Sequence, residues 1–219
     1  MYFLTTRCIT FDEILKYVKM KKGCLISIIV VAALALVVLS AVVWGTKVYN
    51  GMVTMQESVT SQWGNVQTSY QRRSDLIPNF VSTVKGAANF EQTTLTQVIE
   101  ARAKATSVTI DPTKMTAENM QQFQQAQGQV SSALGRLMVV MEQYPELKAT
   151  QNFRDLQIEL EGTENRISVE RRKFNEVALV YNTYIRKFPQ TFFAGMFGFQ
   201  IKPYFEAASG AEKAPEVKF

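Results

Sequence analysis

An uncharged apolar run from Leu25 to Trp44 constrains this chain more than any other feature of its sequence. The only polar side chains in the run are the hydroxyls of Ser27 and Ser40. A helix of ~20 residues rises about 30 Å, which matches the hydrocarbon core of a bilayer. The core of a cleaved signal peptide is shorter, at ~7–15 residues, and ends in small residues rather than a tryptophan. We therefore predict an uncleaved transmembrane helix at 25–44, with a cleaved signal as the alternative.

The charges that flank this run predict its orientation. The lysines shortly before it are Lys16, Lys19, Lys21 and Lys22. Only Lys47 lies close after it. Because cytoplasmic flanks carry the excess of Lys and Arg, we expect a cytoplasmic N-terminus and an extracytoplasmic main domain. Residues 1–24 form a short basic segment, and Met20 is an alternative start, so no function is assigned to residues 1–19.

The composition argues against nucleic-acid binding and against thiol chemistry in the main domain. Of the 24 basic and 19 acidic residues, five basic and two acidic ones lie in the first 24 positions, so the remainder is nearly neutral. A domain without a strong positive excess is not expected to bind nucleic acid. The two cysteines, Cys8 and Cys24, lie at or before the membrane edge, and we expect no disulfide beyond it.

The absence of histidine narrows the possible chemistry further. It excludes Ser-His-Asp and Cys-His catalytic arrangements, imidazole metal ligands and the Glu-x-x-His pairs of di-iron bundles. We therefore expect no enzymatic activity, no metal, no cofactor and no small-molecule substrate. A hydrolase that uses paired carboxylates is the remaining catalytic alternative.

Beyond the apolar run, hydrophobic residues recur at alternating steps of four and three, the spacing of a helix stripe. The first stripe begins at Met52, and its helix is expected to reach about Lys104. Pro78 should kink this helix or start a new turn, because proline lacks an N–H and its ring clashes one turn back. Residues 107–117 have the composition of a connection.

Two further stripes extend from Met120 to Tyr144 and from Phe153 to Phe188, and a proline follows each. Helices with such stripes pack at shallow angles in a bundle. The predicted fold is all-α: an N-terminal transmembrane helix, an antiparallel bundle of three long helices, and a short C-terminal helical or aromatic segment. The bundle should span residues 46–206, and residues 207–219 should be a flexible tail.

Charged residues interrupt the stripes and must pair or reach water, because an unpaired buried charge is costly. Two lie on the stripes and four flank them: Arg73, Asp75, Glu164, Arg166, Glu170 and Arg171. We interpret them as a polar layer that sets the register between the first and third helices. A ligand or partner site is the alternative. The asparagines Asn79, Asn175 and Asn182 are expected to bond to kinked backbone.

The C-terminal segment concentrates aromatic area. Its candidate contact residues are Phe192, Phe193, Phe199, Tyr204 and Phe205. They could cap the open end of the bundle, or they could form an adhesive surface for a membrane or another protein.

Several motifs of this sequence resemble the LemA family. The central one comprises Arg72 to Val81, and a second comprises Glu142 to Ala149. Further matches include Phe174-Asn175, Tyr181-Asn182 and Phe188-Pro189, and the likeness covers about residues 45–206. The resemblance implies a helical bundle anchored in a bacterial inner membrane, and it brings no catalytic mechanism with it.

Three functions remain open from the sequence. The first is a scaffold or assembly protein that acts through protein contacts at the membrane surface, with unknown partners or with further copies of itself. The second is a ligand-binding or sensor module built on the charged layer around Arg73. The third is a protein that remodels membranes, which is less favoured because no amphipathic helix has a strongly basic polar face.

Overall fold

The computed structural model describes residues 22–86 and 91–206, with side chains from residue 26 onward. All regular secondary structure in these stretches is helical, which confirms the predicted all-α class. The alternative start at residues 1–19 and the flexible tail at 207–219 lie outside the described residues. The chain divides between Asn50 and Gly51 into two compact units, which are described in turn.

The N-terminal unit contains the first part of helix α1, which extends from Lys22 to Lys85. Its large apolar side chains are exposed, as in Leu36 at 68%. The hydroxyl of Ser40 donates to the Val37 carbonyl at 2.8 Å, so this polar group is satisfied within the helix. Helix α1 is therefore long and apolar enough to cross a membrane, and the part of the chain described here has no second helix of that kind.

The second unit contains the rest of α1 and five further helices. They are α2 (Gln92–Ser107), α3 (Ala117–Met141), α4 (Pro145–Lys148), α5 (Gln151–Arg186) and α6 (Gln190–Phe197). A single 3-10 turn, Pro112–Lys114, lies between α2 and α3. Helix α3 begins behind a capping box, in which the side chains of Thr116 and Asn119 each accept a hydrogen bond from the other's backbone N–H.

Hydrogen bonds between helices define their directions. In α1, Gln62 bonds to Glu170 of α5, whereas Arg72 bonds to Glu159, so these two helices are antiparallel. Helices α3 and α5 are antiparallel too. Gln124 of α3 accepts a hydrogen bond from Arg171 of α5, whereas Ser131, further along α3, and Glu164, earlier in α5, both accept one from Arg73. The unit is thus a bundle of long helices joined by short connections.

The core contains the predicted stripes. In α1 its buried members are Met52, Val59, Trp63, Val66, Tyr70, Ile77, Phe80 and Val84. The buried members on α3 and α5 include Met120, Phe123, Val130, Leu134, Leu137, Phe153, Leu160, Ile167, Phe174 and Tyr181. The third stripe was predicted to end at Phe188, but that side chain is 87% exposed because α5 ends at Arg186. The last buried residue of α5 is Ile185, which lies beside the predicted stripe.

The first bundle helix is shorter than predicted. It was expected to reach about Lys104, but α1 ends at Lys85 and a separate helix, α2, begins at Gln92. Gly86 follows the last helical residue and adopts a turn, as expected for a residue with a low helix propensity. The three long helices that were predicted correspond to α1, α3 and α5, and α2 adds a fourth, shorter one that packs against α3.

Pro78 lies inside α1, and the helix continues through it instead of starting anew. A proline at this position cannot donate to the carbonyl of Ser74, four residues earlier. The structure supplies another donor, because Arg102 of α2 donates its Nε–H to that carbonyl at 2.7 Å. The gap that the proline leaves in the helix is therefore filled from the neighbouring helix, which also ties α2 to α1.

We predict that Arg102→Met lowers the free energy of unfolding by about 1–3 kcal/mol, because the Ser74 carbonyl then lacks a donor. In a Pro78→Ala background the same change should cost less, since the alanine N–H at position 78 can bond to that carbonyl. Urea unfolding of the detergent-solubilised chain as a double-mutant cycle measures the difference. Equal losses in the two backgrounds would contradict this interpretation.

Candidate functional site

Arg73 is one of the two most deeply buried charged side chains among the described residues and is only 2% exposed. Its Nη1 donates to Glu164 Oε1 of α5 at 2.7 Å and to Ser131 Oγ of α3 at 2.8 Å. Its Nη2 donates to the side-chain oxygen of Gln127 at 2.5 Å and to the Gln127 carbonyl at 3.3 Å. One guanidinium on α1 therefore holds α3 and α5, and its planar fork suits this task better than a lysine would.

The guanidinium of Arg73 packs against an aromatic ring, which contacts a second one. The Arg73 carbon Cζ is 5.1 Å from the centre of the Tyr70 ring, and Tyr70 contacts Phe123 edge to face at 5.1 Å. Such a cation–π contact contributes more to stability where water is excluded. Burial raises the pKa of the Tyr70 phenol above its ordinary value of 10.0, so it remains neutral at physiological pH.

Glu170 forms a second buried polar contact. Its side chain accepts a hydrogen bond from Gln62 Nε2 of α1 at 2.7 Å and one from Lys173 Nζ at 3.2 Å. The hydrogen bond from Gln62 is the main cause that lowers the pKa of this carboxyl below its ordinary value. Arg166 is the more distant ion-pair partner, with its Nε 3.8 Å from Glu170 Oε1. This contact also joins α1 to α5.

The six residues assigned to the polar layer do not form one cluster. Arg73 pairs with Glu164, while Glu170 pairs with Lys173 and Arg166 elsewhere on the same interface. Asp75 lies outside the layer, because its exposed carboxylate accepts from Gln71 one turn earlier on α1.

Arg171 contributes to a different contact, with the C-terminal segment. Its guanidinium lies over the Phe205 ring at 4.8 Å and donates to the Glu206 carbonyl at 2.9 Å. It therefore holds the end of the described chain rather than the register between α1 and α5.

Two asparagines of α5 fasten the same segment. Asn182 donates to the Lys202 carbonyl at 2.8 Å and accepts from the Lys202 N–H at 2.8 Å. Asn175 forms the same pair of bonds with Phe205, at 2.9 and 2.8 Å. Both asparagines were predicted to bond to kinked backbone; they do bond to backbone, but it is that of the C-terminal segment after α6. We call the two pairs the amide clamps.

The geometry of the amide clamps follows from the two backbones that they join. Asn175 and Asn182 are seven residues apart on a helix, which is a rise of about 10.5 Å. Their partners are three residues apart in an extended chain, which spans about 10 Å. The distance between the two asparagines therefore equals the distance between the two residues that they bind, and the segment lies antiparallel to α5.

Three features help to place the segment in the amide clamps. Gly198 ends α6 in the left-handed conformation at φ 75°, and the Phe199 N–H bonds back to the Ala194 carbonyl. Tyr181 donates its hydroxyl to the Gln200 carbonyl at 3.0 Å, and burial raises the pKa of that phenol to about 12.

The third feature is Lys202, which is only 2% exposed. Its ammonium donates to the Pro112 carbonyl at 2.8 Å, and burial lowers the pKa of this lysine. The segment is therefore tied to the connection between α2 and α3 as well as to α5.

The five predicted contact residues have different environments. Phe205 is buried at 6% exposure and packs on Trp63 and Phe174, with ring centres 6.0 and 5.5 Å apart, so it belongs to the core. Phe193 and Phe199 are half-buried. Phe192 is 64% exposed and Tyr204 is 38% exposed. The most exposed aromatic side chain of the five, Phe192, therefore lies on α6, and the end of the segment is anchored in the core by Phe205.

A polar groove of about 300 Å³ lies beside Arg73. Its lining includes Gln121, Gln124, Gln125, Gln127, Ser168 and Arg171. Small-molecule sites are usually lined mainly by apolar side chains with a few polar groups, which this groove does not resemble. Across residues 22–86 and 91–206 no three acidic, cysteine or histidine side chains come together in a way that could hold a metal ion.

Comparison with known proteins gives a consistent result. The sequence model of the LemA family matches residues 62–219. The magnetosome protein MamQ of Magnetospirillum gryphiswaldense is 29% identical over 78% of this chain and 71% of its own length. The magnetosome protein MamQ 2 of Paramagnetospirillum magneticum is 27% identical over 72% of this chain and 64% of its own length.

A further relative comes from a different kind of bacterium. Protein LemA of Metamycoplasma hominis is 25% identical over 64% of this chain, which spans 60% of that relative. None of these names states a reaction.

We predict that Arg73→Leu lowers the free energy of unfolding by roughly 1–3 kcal/mol, because the charge-assisted hydrogen bonds that link α1 to α3 and α5 are lost. The neighbouring Arg72→Leu is the matched control. It removes an ion pair with Glu159 whose side chains are 67% and 41% exposed, and such pairs contribute at most about 1 kcal/mol. Urea unfolding compares the two, and equal effects would show that Arg73 does not link the helices.

For the amide clamps we predict that Asn182→Ala exposes the Lys202 amide to solvent. Hydrogen exchange of the peptide that covers residues 199–206 should become faster by about tenfold or more, since one clamp is lost. Asn165→Ala, an exposed position on the same helix, is the control. Unchanged protection in Asn182→Ala would mean that the segment is held by other contacts.

Proposed function

The chain belongs to the LemA family, and from this premise we propose that it is a membrane-anchored scaffold that acts through protein contacts at the membrane surface. The proposed arrangement has one transmembrane segment at 25–44 in a bacterial inner membrane, with a cytoplasmic N-terminus. The bundle domain, residues 46–206, is proposed to lie on the extracytoplasmic side and to assemble with partner proteins or with further copies of itself.

The observation that carries this proposal is how Arg73 is bonded. Its guanidinium bonds to Glu164, Ser131 and Gln127, and it stacks on Tyr70. A binding site needs polar groups that await a partner, whereas this guanidinium already has protein partners on both neighbouring helices. The charged layer therefore supports a structural role for the interior of the bundle. We propose that the surface of the bundle makes the functional contacts.

Apolar side chains on that surface offer positions for protein contacts. Val139 of α3 is 71% exposed, and the adjacent Leu179 and Val180 of α5 are 57% and 58% exposed. Single exposed aliphatic residues are ordinary. The adjacent pair on one helix is the more informative feature, because neighbouring apolar side chains form a continuous contact area.

The names of the relatives favour a non-catalytic role. MamQ is named as a magnetosome protein, and neither that name nor the family's refers to a reaction. The absence of histidine from the whole chain supports the same proposal. We propose no partner by name, because the chain spans less than two thirds of several relatives.

The proposed assembly predicts that the full chain self-associates or forms discrete adducts in its native membrane. A photo-crosslinking amino acid at Leu179 should give one or a few adducts of defined mass, and one at the exposed polar position Asn165 serves as control. Sedimentation of the detergent-solubilised chain should show a mass that rises with concentration. A monomer at every concentration, without discrete adducts from Leu179, would refute the scaffold.

The groove beside Arg73 supports the sensor alternative, which has a separate test. If the groove binds a ligand, a small-molecule thermal-shift screen should find stabilisers whose effect disappears in Gln124→Ala. Gln124 lines the groove but is not bonded to Arg73.

A further inference from the structure

Helix α6 carries apolar side chains that the bundle leaves uncovered. It has no charged residue, and its Phe192 and Met196 are 64% and 60% exposed. These two residues are four positions apart and so lie on one face of the helix. Ala194 is buried at 5%, so a different face of α6 packs on the bundle. Phe188, just before the helix, is 87% exposed.

The stretch of chain that carries this surface has charges of one sign. No Asp or Glu occurs between Glu176 and Glu206. Arg186 and Lys187 are exposed and stand directly before Phe188. An apolar helix face with a cationic flank is attracted to a bilayer that contains anionic lipids, because the charge draws it to the headgroups and the apolar groups enter beneath them.

The chain also limits how far this surface can be from the membrane. Gly51 is seven positions after Trp44, the end of the apolar run, and even a fully extended chain of that length reaches only about 25 Å. Gly51 contacts Tyr184 so closely that an added Cβ would lie 2.9 Å from the tyrosine oxygen. Tyr184 is four residues before Phe188, so α6 follows from the part of α5 that meets Gly51.

We propose that Phe188 and the exposed face of α6, with Phe192 and Met196, insert into the headgroup layer of the lipid bilayer. This surface is called the α6 foot. The inference rests on the membrane anchoring proposed above and adds a second contact with the same bilayer. The transmembrane segment holds the chain in the membrane, and the α6 foot restrains the rotation and tilt of the bundle against it.

A bilayer fits these observations better than a protein partner does. Phenylalanine and methionine side chains with flanking basic residues are typical of segments that lie in the membrane interface. Because the chain between the transmembrane segment and Gly51 is short, the α6 foot always lies within reach of a lipid surface. A second copy of the chain or another protein would have to compete with that bilayer for the α6 foot.

The test places a fluorescent reporter on the α6 foot in the full chain. Cys8→Ser and Cys24→Ser remove the native thiols, and Phe192→Cys or Met196→Cys then carries the environment-sensitive dye NBD. Ile158→Cys, exposed at 67% on α5, carries the dye in the matched control. Each protein is reconstituted into vesicles of phosphatidylcholine and phosphatidylglycerol, with or without lipids that carry a doxyl quencher in the acyl chain.

We expect both α6 reporters to emit at shorter wavelength than the Ile158→Cys reporter and to lose most of their fluorescence to the doxyl lipids. Emission like that of the control would overturn the proposal. A shift to shorter wavelength without quenching by lipid would overturn it too, because it would place a protein on the α6 foot. Flotation of the vesicles first establishes anchoring, so a failure of the anchor is distinguishable from a failure of the α6 foot.

Discussion

A guanidinium can be buried in a bundle at low cost only if the surrounding helices offer acceptors for its donors, and this requirement at Arg73 governs how α1, α3 and α5 meet. An error of one helical turn would separate Arg73 from Glu164, Ser131 or Gln127, and the buried charge would then be unpaired. Apolar side chains alone tolerate sliding, because one leucine can replace another in a stripe. The polar contact therefore contributes specificity to a core whose stability is mainly hydrophobic.

Much of the fold follows from the periodicity of the sequence. The stripes from Met52, Met120 and Phe153 identify the buried faces of α1, α3 and α5, because the burial of apolar faces is what chiefly drives helices to pack together. The division between α1 and α2 is not visible in that pattern. Steps of three and four continue past Gly86 through Thr94, Val98 and Ala105, all buried, so a reversal of the chain leaves the period unchanged.

The contacts of polar residues were harder to predict. The sequence indicates that Arg73 and Glu170 lie on buried stripes, but it does not show which neighbour each one meets, since that depends on the rotation of the opposite helix. The sequence did not indicate which backbone groups Asn175 and Asn182 bind, because a peptide group has no side chain that could identify it. The spacing of seven between the two asparagines, combined with an apolar segment downstream, is the clue that could have suggested their partners.

The amide clamps have a consequence for how chains of this kind can vary in length. Because seven helical residues match three extended ones, a single inserted or deleted residue between Asn175 and Asn182, or between Lys202 and Phe205, leaves only one clamp in register. The connection from Lys187 to Phe199 lies outside both stretches, so a change in its length does not alter the spacing of the amide clamps. Related chains should therefore keep constant lengths within the two clamped stretches and accept insertions around α6, which lies outside both stretches.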